Sequence, residues 1–190
     1  MHSDPAHTKF MAHEHCVPAA SSKEVVINYH LTQLCNYRCK YCYAQWSIQS
    51  PKDELHHDPE QVQRLLKVLH REFLPQVPHR RTGTSLSRHS LRLNLVGGEP
   101  FLVKHFGEII EAAQTIGFKV SIVTNGSLLN EEFILKYART LFMVGFSVDA
   151  VEEDRLLKIG RCTASGETLK AAALERRIRL MRAVNPLVQI

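Results

Sequence analysis

Four short apolar segments, each followed by a helical pattern, constrain the fold of this chain more than any other feature of its sequence. We predict that these segments are strands, at residues 24–30, 91–96, 118–123 and 141–148. Consecutive parallel strands need a crossover between them, and a helix is the usual crossover. Strands this apolar are typical of a parallel sheet that helices cover. The pattern therefore predicts an α/β fold with parallel strands, wound as a partial (βα) barrel or as an open sheet.

The segments between the strands have the apolar spacing of helices, which we predict over residues 58–73, 104–116, 130–139, 152–157 and 167–183. Asp58 and Pro59 mark the beginning of the first helix, because aspartate caps a helix N-terminus and proline suits its first position. Residues 75–90 are predicted to form a polar loop, and residues 187–190 the start of a fifth strand. The chain therefore contains about four complete βα units.

Three of the five cysteines, Cys35, Cys39 and Cys42, lie within eight residues directly after the first predicted strand. We call residues 35–42 the cysteine loop. An odd number of cysteines clustered in this way indicates metal binding rather than a disulfide framework. Three thiolates can bind three irons of a cubane iron–sulfur cluster and leave the fourth iron open, as a catalytic site requires. A zinc site that adds a histidine such as His30 is the alternative, since thiolates bind both metals.

The spacing C-x3-C-x2-C, with Tyr41 before the last cysteine, resembles the signature loop of the radical S-adenosylmethionine (SAM) superfamily. Gly97, Gly98, Glu99 and Pro100, which follow the second predicted strand, resemble its second motif. The resemblance implies a 4Fe–4S cluster on the three cysteines and SAM on the open iron. It also implies a radical SAM core domain over residues 23–190. Residues 1–22, rich in His, Ala, Ser and Pro, are predicted to form a flexible N-terminal tail.

Further segments resemble viperin and its microbial relatives in order and spacing: VINYHLT before the cysteines, NLVGGEPFL, SIVTNGSLL, FSVD and IGR. Enzymes of this family cleave SAM to a deoxyadenosyl radical. With it they convert a ribonucleoside triphosphate to its 3′-deoxy-3′,4′-didehydro form, a product of antiviral defence. The resemblance therefore implies a nucleoside triphosphate substrate and an external electron donor of the flavodoxin or ferredoxin type.

The resemblance also assigns site residues by position. Asn28 and Arg92 match positions that contact the triphosphate, and a cation at residue 92 suits phosphate. Glu99 matches a position that can accept a hydrogen bond from the ammonium group of SAM. The predicted SAM contacts are Tyr41, Gly97, Gly98, Glu99, Pro100, Asn125, Ser127, Ser147 and Arg161.

The sequence departs from the family at two places. Val96 stands where the animal proteins have a serine, and the family's barrel continues beyond the predicted fifth strand. We therefore expect the core domain to be incomplete at its C-terminus and the chain to be a truncated product. Two alternatives remain open: a radical SAM enzyme that acts on a peptide or protein, and a non-catalytic iron–sulfur or zinc-binding module.

Charge and hydropathy exclude several classes of partner. The net charge is +5 without a dense run of Lys and Arg, so the sequence predicts no DNA or RNA partner. No apolar run approaches the ~20 residues that span a bilayer, and the N-terminal segment lacks the apolar region of a signal peptide. We expect no membrane contact and a cytoplasmic location.

The pair His56 and His57 is not predicted to bind a metal, because it lacks the further ligands of a closed metal site.

Overall fold

A computed structural model describes residues 24–43, 51–74 and 91–190 of the chain. Four parallel strands form one sheet in sequence order: β1 (Val25–His30), β2 (Leu91–Val96), β3 (Lys119–Thr124) and β4 (Met143–Phe146). Five α-helices accompany them: α1 (Pro59–Phe73), α2 (Phe106–Ile116), α3 (Glu131–Tyr137), α4 (Glu153–Lys158) and α5 (Ala171–Val184). Short 3-10 helices span Leu55–His57, Pro100–Leu102 and Ala138–Thr140. The predicted α/β fold is confirmed, and within the described segments the sheet is not closed, as in a partial barrel.

Several predicted elements differ from the structure, and the strand predicted over residues 141–148 is shorter, since β4 spans only Met143–Phe146. The last helix begins at Ala171 rather than near residue 167, because Glu167 N donates to Thr163 Oγ1 and Thr163 N donates to Glu167 O in a turn before it. The predicted helix over 130–139 divides into α3 and a 3-10 helix. The predicted fifth strand is present as one parallel bridge between Met143 and Gln189. The predicted N-terminal tail and the loop over residues 75–90 lie outside the described residues.

The sheet has an apolar face and a polar face, because the side chains of a strand alternate between its two sides. In β2, Leu91, Leu93 and Leu95 are at most 2% exposed and pack into the core with residues of α1 and α2, while the residues between them are half-buried. The strands therefore place the hydrophobic core on the helix-covered face and leave the opposite face free for polar groups.

A continuous chain of hydrogen bonds crosses the polar face, and we call its members, Glu24, Arg92, Ser121, Asn94 and Asn28, the polar ladder. Asn94 Nδ2 donates to Asn28 Oδ1 at 2.8 Å, and Ser121 Oγ donates to Asn94 Oδ1 at 2.9 Å. Arg92 donates from Nη1 to Ser121 Oγ at 3.2 Å and forms an ion pair with Glu24, its Nε lying 2.9 Å from Glu24 Oε2. The polar face of the sheet thus carries polar groups in fixed positions.

Helix α1 begins at a cap that the sequence predicted. Asp58 Oδ1 accepts hydrogen bonds from Glu60 N at 3.0 Å and from Gln61 N at 3.1 Å. We expect Asp58→Ala to lower the free energy of unfolding in urea by about 1 kcal/mol, because these two N–H groups lose their acceptor. Asp58→Asn keeps an acceptor in the same place and should cost only a few tenths of that. Equal losses in the two variants would contradict the role of the cap.

None of the helices in the described segments has both the length and the apolar character that a membrane span requires.

Candidate active site

The chain that leads into the cysteine loop stays paired with the end of β2. After β1 ends, Gly98 N donates to Thr32 O at 2.8 Å and Glu99 N donates to Leu34 O at 2.8 Å. This pairing continues the parallel register of β1 and β2 past the ends of both strands. As a result Cys35 lies directly against Gly98, at the carboxyl end of the sheet, where parallel α/β folds place their active sites.

A second segment holds the cysteine loop from its other side. Arg38 N donates to Cys162 O at 3.2 Å, and Lys40 N donates to Ile159 O at 2.9 Å. Between these two bonds lies Gly160, whose φ of +75° is left-handed and whose hydrogen faces Arg38 O, where a Cβ would come within 2.3 Å of that oxygen. The cysteine loop is therefore fixed between the end of β2 and residues 159–162.

The three cysteines of the loop line one cavity of about 870 Å³. Cys35 is buried, while Cys39 and Cys42 are partly exposed. The other cysteine in the described part of the chain, Cys162, is not among the residues that line this cavity. Three thiols from one short loop, without a fourth at this cavity among the residues that the structure describes, fit a cubane cluster with one open iron better than a closed four-thiolate site. Burial raises the pKa of the Cys35 thiol, so metal binding there has to displace a proton.

Gly97 and Gly98 have no space for a side chain. A Cβ at Gly98 would lie 2.1 Å from Leu34 O and 3.0 Å from the Cβ of Cys35. Gly97 has a φ of +153°, and a Cβ there would lie 2.7 Å from Thr32 O. Both glycines line the cavity, as their predicted role requires, while Pro100 is buried at the start of a 3-10 helix. The two glycines thus allow the segment that carries Cys35 to approach β2 closely.

Glu99 is fully buried, and its carboxylate joins the ends of two strands. Its Oε1 accepts a hydrogen bond from Thr124 Oγ1 at 2.6 Å, and its Oε2 accepts one from Asn125 N at 2.8 Å. Oε1 also accepts a longer bond of 3.3 Å from Phe101 N. Both oxygens are therefore engaged within the protein, and the contact with SAM that the sequence predicts for this side chain stays a prediction.

Asn125 and Ser127 form a closed ring of hydrogen bonds with Asn36 of the cysteine loop. Asn125 Nδ2 donates to Asn36 Oδ1 at 2.9 Å, Asn36 Nδ2 donates to Ser127 Oγ at 2.9 Å, and Ser127 Oγ donates to Asn125 Oδ1 at 2.6 Å. Asn125 lines the cavity. Sequence reasoning missed Asn36, although its place directly after Cys35 was a signal for it.

Arg161 lies at the centre of a second polar group beside the cavity. The residue is 7% exposed. Its Nε lies 3.0 Å from Asp149 Oδ2, its Nη1 donates to the Tyr41 hydroxyl at 3.1 Å, and its Nη2 donates to the backbone oxygen of Ser147. The Tyr41 hydroxyl in turn donates to Asp149 Oδ2 at 2.6 Å. The structure brings together the three residues predicted here, and it adds Asp149, whose place directly after the fourth predicted strand was the available signal.

The two predicted triphosphate contacts occupy different positions. Asn28 lines the cavity of the cysteines, whereas Arg92 lies near the start of β2, within the polar ladder and paired with Glu24. Asn94 and Ser121 connect them and were missed by sequence reasoning. The alternation of apolar and polar residues along β2 places Asn94 on the same face as Arg92, so a signal for Asn94 existed. The substrate roles of Asn28 and Arg92 stay predictions.

A group of possible metal ligands also occurs away from the cavity. Ligand atoms of Glu54, His56 and His57 lie within 4.8 Å of one another, so the sequence reading of the histidine pair overlooked Glu54. The Glu54 carboxylate already accepts hydrogen bonds from Thr32 Oγ1 at 2.8 Å and from Gln33 N. It therefore braces the chain that enters the cysteine loop.

Comparison with known proteins finds relatives along most of the chain. The S-adenosylmethionine-dependent nucleotide dehydratase of Psychrobacter lutiphocae is 37% identical over 171 residues, which are 90% of this chain and 55% of that protein. The enzyme of the same name from Pseudoalteromonas ulvae is 39% identical over 167 residues, which are 87% of this chain and 53% of that protein. The chain thus spans about half the length of the curated relatives it matches.

Solved structures show the same fold at low sequence identity. Streptococcus suis SuiB bound to its precursor peptide SuiA superposes with a TM-score of 0.60 at 13% identity, over 86% of this chain and 31% of that chain. The same protein bound to S-adenosylmethionine superposes with a TM-score of 0.58 at 14% identity, over 86% of this chain and 32% of that chain. The family model of the radical SAM superfamily matches residues 29–184, a segment that contains the cysteine loop and both glycines. This chain therefore belongs to the radical SAM superfamily.

Proposed function

We propose that this chain carries the SAM-cleaving site of a nucleotide dehydratase of the viperin type. Such an enzyme converts a nucleoside triphosphate to its 3′-deoxy-3′,4′-didehydro form with loss of water. The observation that carries the proposal is the convergence of Cys35, Cys39 and Cys42 on one cavity at the carboxyl ends of the strands. The names of the curated relatives support the class of substrate.

Cys35, Cys39 and Cys42 would hold a 4Fe–4S cluster, which leaves one iron without a protein ligand for SAM. When bound, this cluster supplies the electron that cleaves SAM into methionine and a deoxyadenosyl radical, and an external donor of the flavodoxin or ferredoxin type replaces that electron. The side chains of Asn125 and Ser147 line the same cavity and offer polar groups to SAM. The protein thus contributes ligation, orientation and a defined cavity.

The polar ladder supplies the surface that we assign to the nucleotide. Asn28 lies at the cavity, and the hydrogen bonds of the ladder run from it to Arg92. A guanidinium can bind phosphate through two parallel hydrogen bonds, and the nucleotide would take the place of Glu24 at Arg92. The ribose would then face the SAM site while the phosphates extend along the polar face of the sheet.

The experiment that tests the proposal is anaerobic reconstitution of the purified chain with iron and sulfide. We expect about four iron atoms and as many acid-labile sulfides per chain. Release of deoxyadenosine from SAM is then measured with and without CTP, UTP and GTP, and one of these nucleotides should accelerate it.

Two matched cysteine variants serve as controls. Cys39→Ser should lose most of its iron and all SAM cleavage, because serine is a poor ligand for the cluster. Cys162→Ser should keep both, since Cys162 does not line the cavity. One zinc per chain without sulfide would contradict the proposal and favour the zinc module. If the cluster is complete but no nucleotide accelerates SAM cleavage, the result would contradict the nucleotide substrate and leave the cluster site in place.

A further inference from the structure

The guanidinium of Arg161 is a buried cation within reach of a cysteine of the proposed cluster. Its Nη1 lies 3.9 Å from Cys39 Sγ and donates to the Tyr41 hydroxyl at 3.1 Å. Its Nη2 donates to Ser147 O, and its Nε lies 3.0 Å from Asp149 Oδ2 in an ion pair. A guanidinium has five N–H donors, so the three hydrogen bonds leave about two N–H groups, one of which is on the Nε that pairs with Asp149. Arg161 is therefore held mainly by the protein.

Asp149 determines which way this guanidinium points. A single oxygen, Oδ2, accepts a hydrogen bond from the Tyr41 hydroxyl at 2.6 Å and forms an ion pair with Arg161 Nε at 3.0 Å, while the Tyr41 hydroxyl also accepts from Arg161 Nη1. The three side chains thus form a closed triangle of two hydrogen bonds and one ion pair. Rotation of the guanidinium away from Cys39 would break two sides of that triangle.

We propose that Asp149 is a positioning residue that holds Arg161 Nη1 against the sulfur of Cys39 and thereby raises the reduction potential of the bound cluster. The inference rests on the proposed function, because it requires a cluster on Cys39. A reduced cluster carries one more negative charge than an oxidised one, so a cation and an N–H donor beside a cluster sulfur favour reduction. The carboxylate acts only through the orientation of Arg161.

The charge of Asp149 by itself has the opposite effect. A carboxylate near the cluster disfavours the added electron, so its removal should raise the potential. Without Asp149, however, Arg161 can rotate away from Cys39, and the loss of this cation should lower the reduction potential. Because the two effects differ in sign, a double-mutant cycle between residues 149 and 161 separates them.

The experiment measures the reduction potential of the reconstituted cluster by an EPR-monitored redox titration in four proteins: wild type, Asp149→Ala, Arg161→Gln and the double variant. We expect Arg161→Gln to shift the potential to more negative values. Asp149→Ala should shift it to more negative values when Arg161 is present and to more positive values when residue 161 is glutamine. Equal shifts of the same sign in both backgrounds would overturn the inference.

Two further variants guard against loss of folding. Tyr41→Phe removes one hydroxyl and should give a smaller negative shift, since one side of the triangle remains. Should Arg161→Gln not fold, Arg161→Lys replaces it, because one ammonium group cannot bridge Asp149 and Cys39 in the same geometry. Iron and sulfide are counted before each titration. A wild-type protein without a cluster overturns the proposed function, whereas complete clusters with additive shifts overturn only the role of Asp149.

Discussion

The variant Gly98→Ala is expected to lose the ability to bind iron and sulfide and to unfold at a lower urea concentration than the wild type. A Cβ at this position would lie 2.1 Å from Leu34 O and 2.6 Å from Leu34 C. These are backbone atoms directly before Cys35, so the clash can be relieved only by moving the segment that carries a cluster ligand. We expect a loss of about 2–3 kcal/mol in the free energy of unfolding, as for overpacking at a site that cannot relax.

Gly145→Ala is the matched control for this prediction. Gly145 lies in β4, and the nearest atom to a Cβ there is Val123 Cγ2 at 3.4 Å, which is close to ordinary contact. This variant should keep the iron content of the wild type. A complete cluster in Gly98→Ala would show that the close approach of the two segments is not required for cluster binding.

The second large effect is expected at Glu99. Its replacement by alanine leaves the N–H of Asn125 and the hydroxyl of Thr124 without their acceptors in a buried place. Each buried polar group left without a partner costs about 1–3 kcal/mol, so we expect a loss of about 3 kcal/mol or more in the free energy of unfolding. Urea denaturation of the metal-free protein measures it separately from cluster binding. A loss below about 1 kcal/mol would contradict the structural role of the carboxylate.

The same carboxylate should make stability depend on pH in a defined direction. Burial raises the pKa of Glu99 above its ordinary value of 4.5, and the hydrogen bonds from Thr124, Asn125 and Phe101 oppose that shift without cancelling it. Between the unfolded and the folded pKa, the folded protein therefore binds more protons than the unfolded chain. The free energy of unfolding should fall, relative to Glu99→Gln, as the pH rises from about 4.5 through the folded pKa. A rise over that range would contradict the prediction.

Much of the fold could be predicted from the sequence, because its signals are local. The strand β2 has the predicted bounds. Leu91, Leu93 and Leu95 alternate with other residues along the sequence, and this period of two indicates a strand rather than a helix. The beginning of α1 was equally clear from Asp58 and Pro59. The beginning of α5 was not, because the turn before it depends on two bonds to the backbone of Glu167, one from the backbone of Thr163 and one to its hydroxyl.

The position of the site residues was predictable only where residue type and spacing carry it. The three cysteines and both glycines line one cavity, and their roles there stay predictions. Asn36 and Asp149 were missed although each directly follows a predicted feature, because position alone does not identify a partner, and their partners Ser127 and Tyr41 lie 91 and 108 residues away in sequence. Glu99 was predicted as a SAM contact from its motif, whereas its burial follows from the packing of β2 against β3, which no local pattern reports.

The distance in sequence between the cysteine loop and the groups that hold it has a kinetic consequence. Its bonds reach Asn125 across 89 residues, Lys158 across 118 and Arg161 across 122. Contacts this remote are slow to form, because the entropy of closing such long loops has to be overcome first. We therefore expect the three thiols to acquire their full arrangement only once β3 and β4 are in place. Iron loading should then follow the folding of the sheet, in contrast to zinc fingers, whose metal drives folding itself.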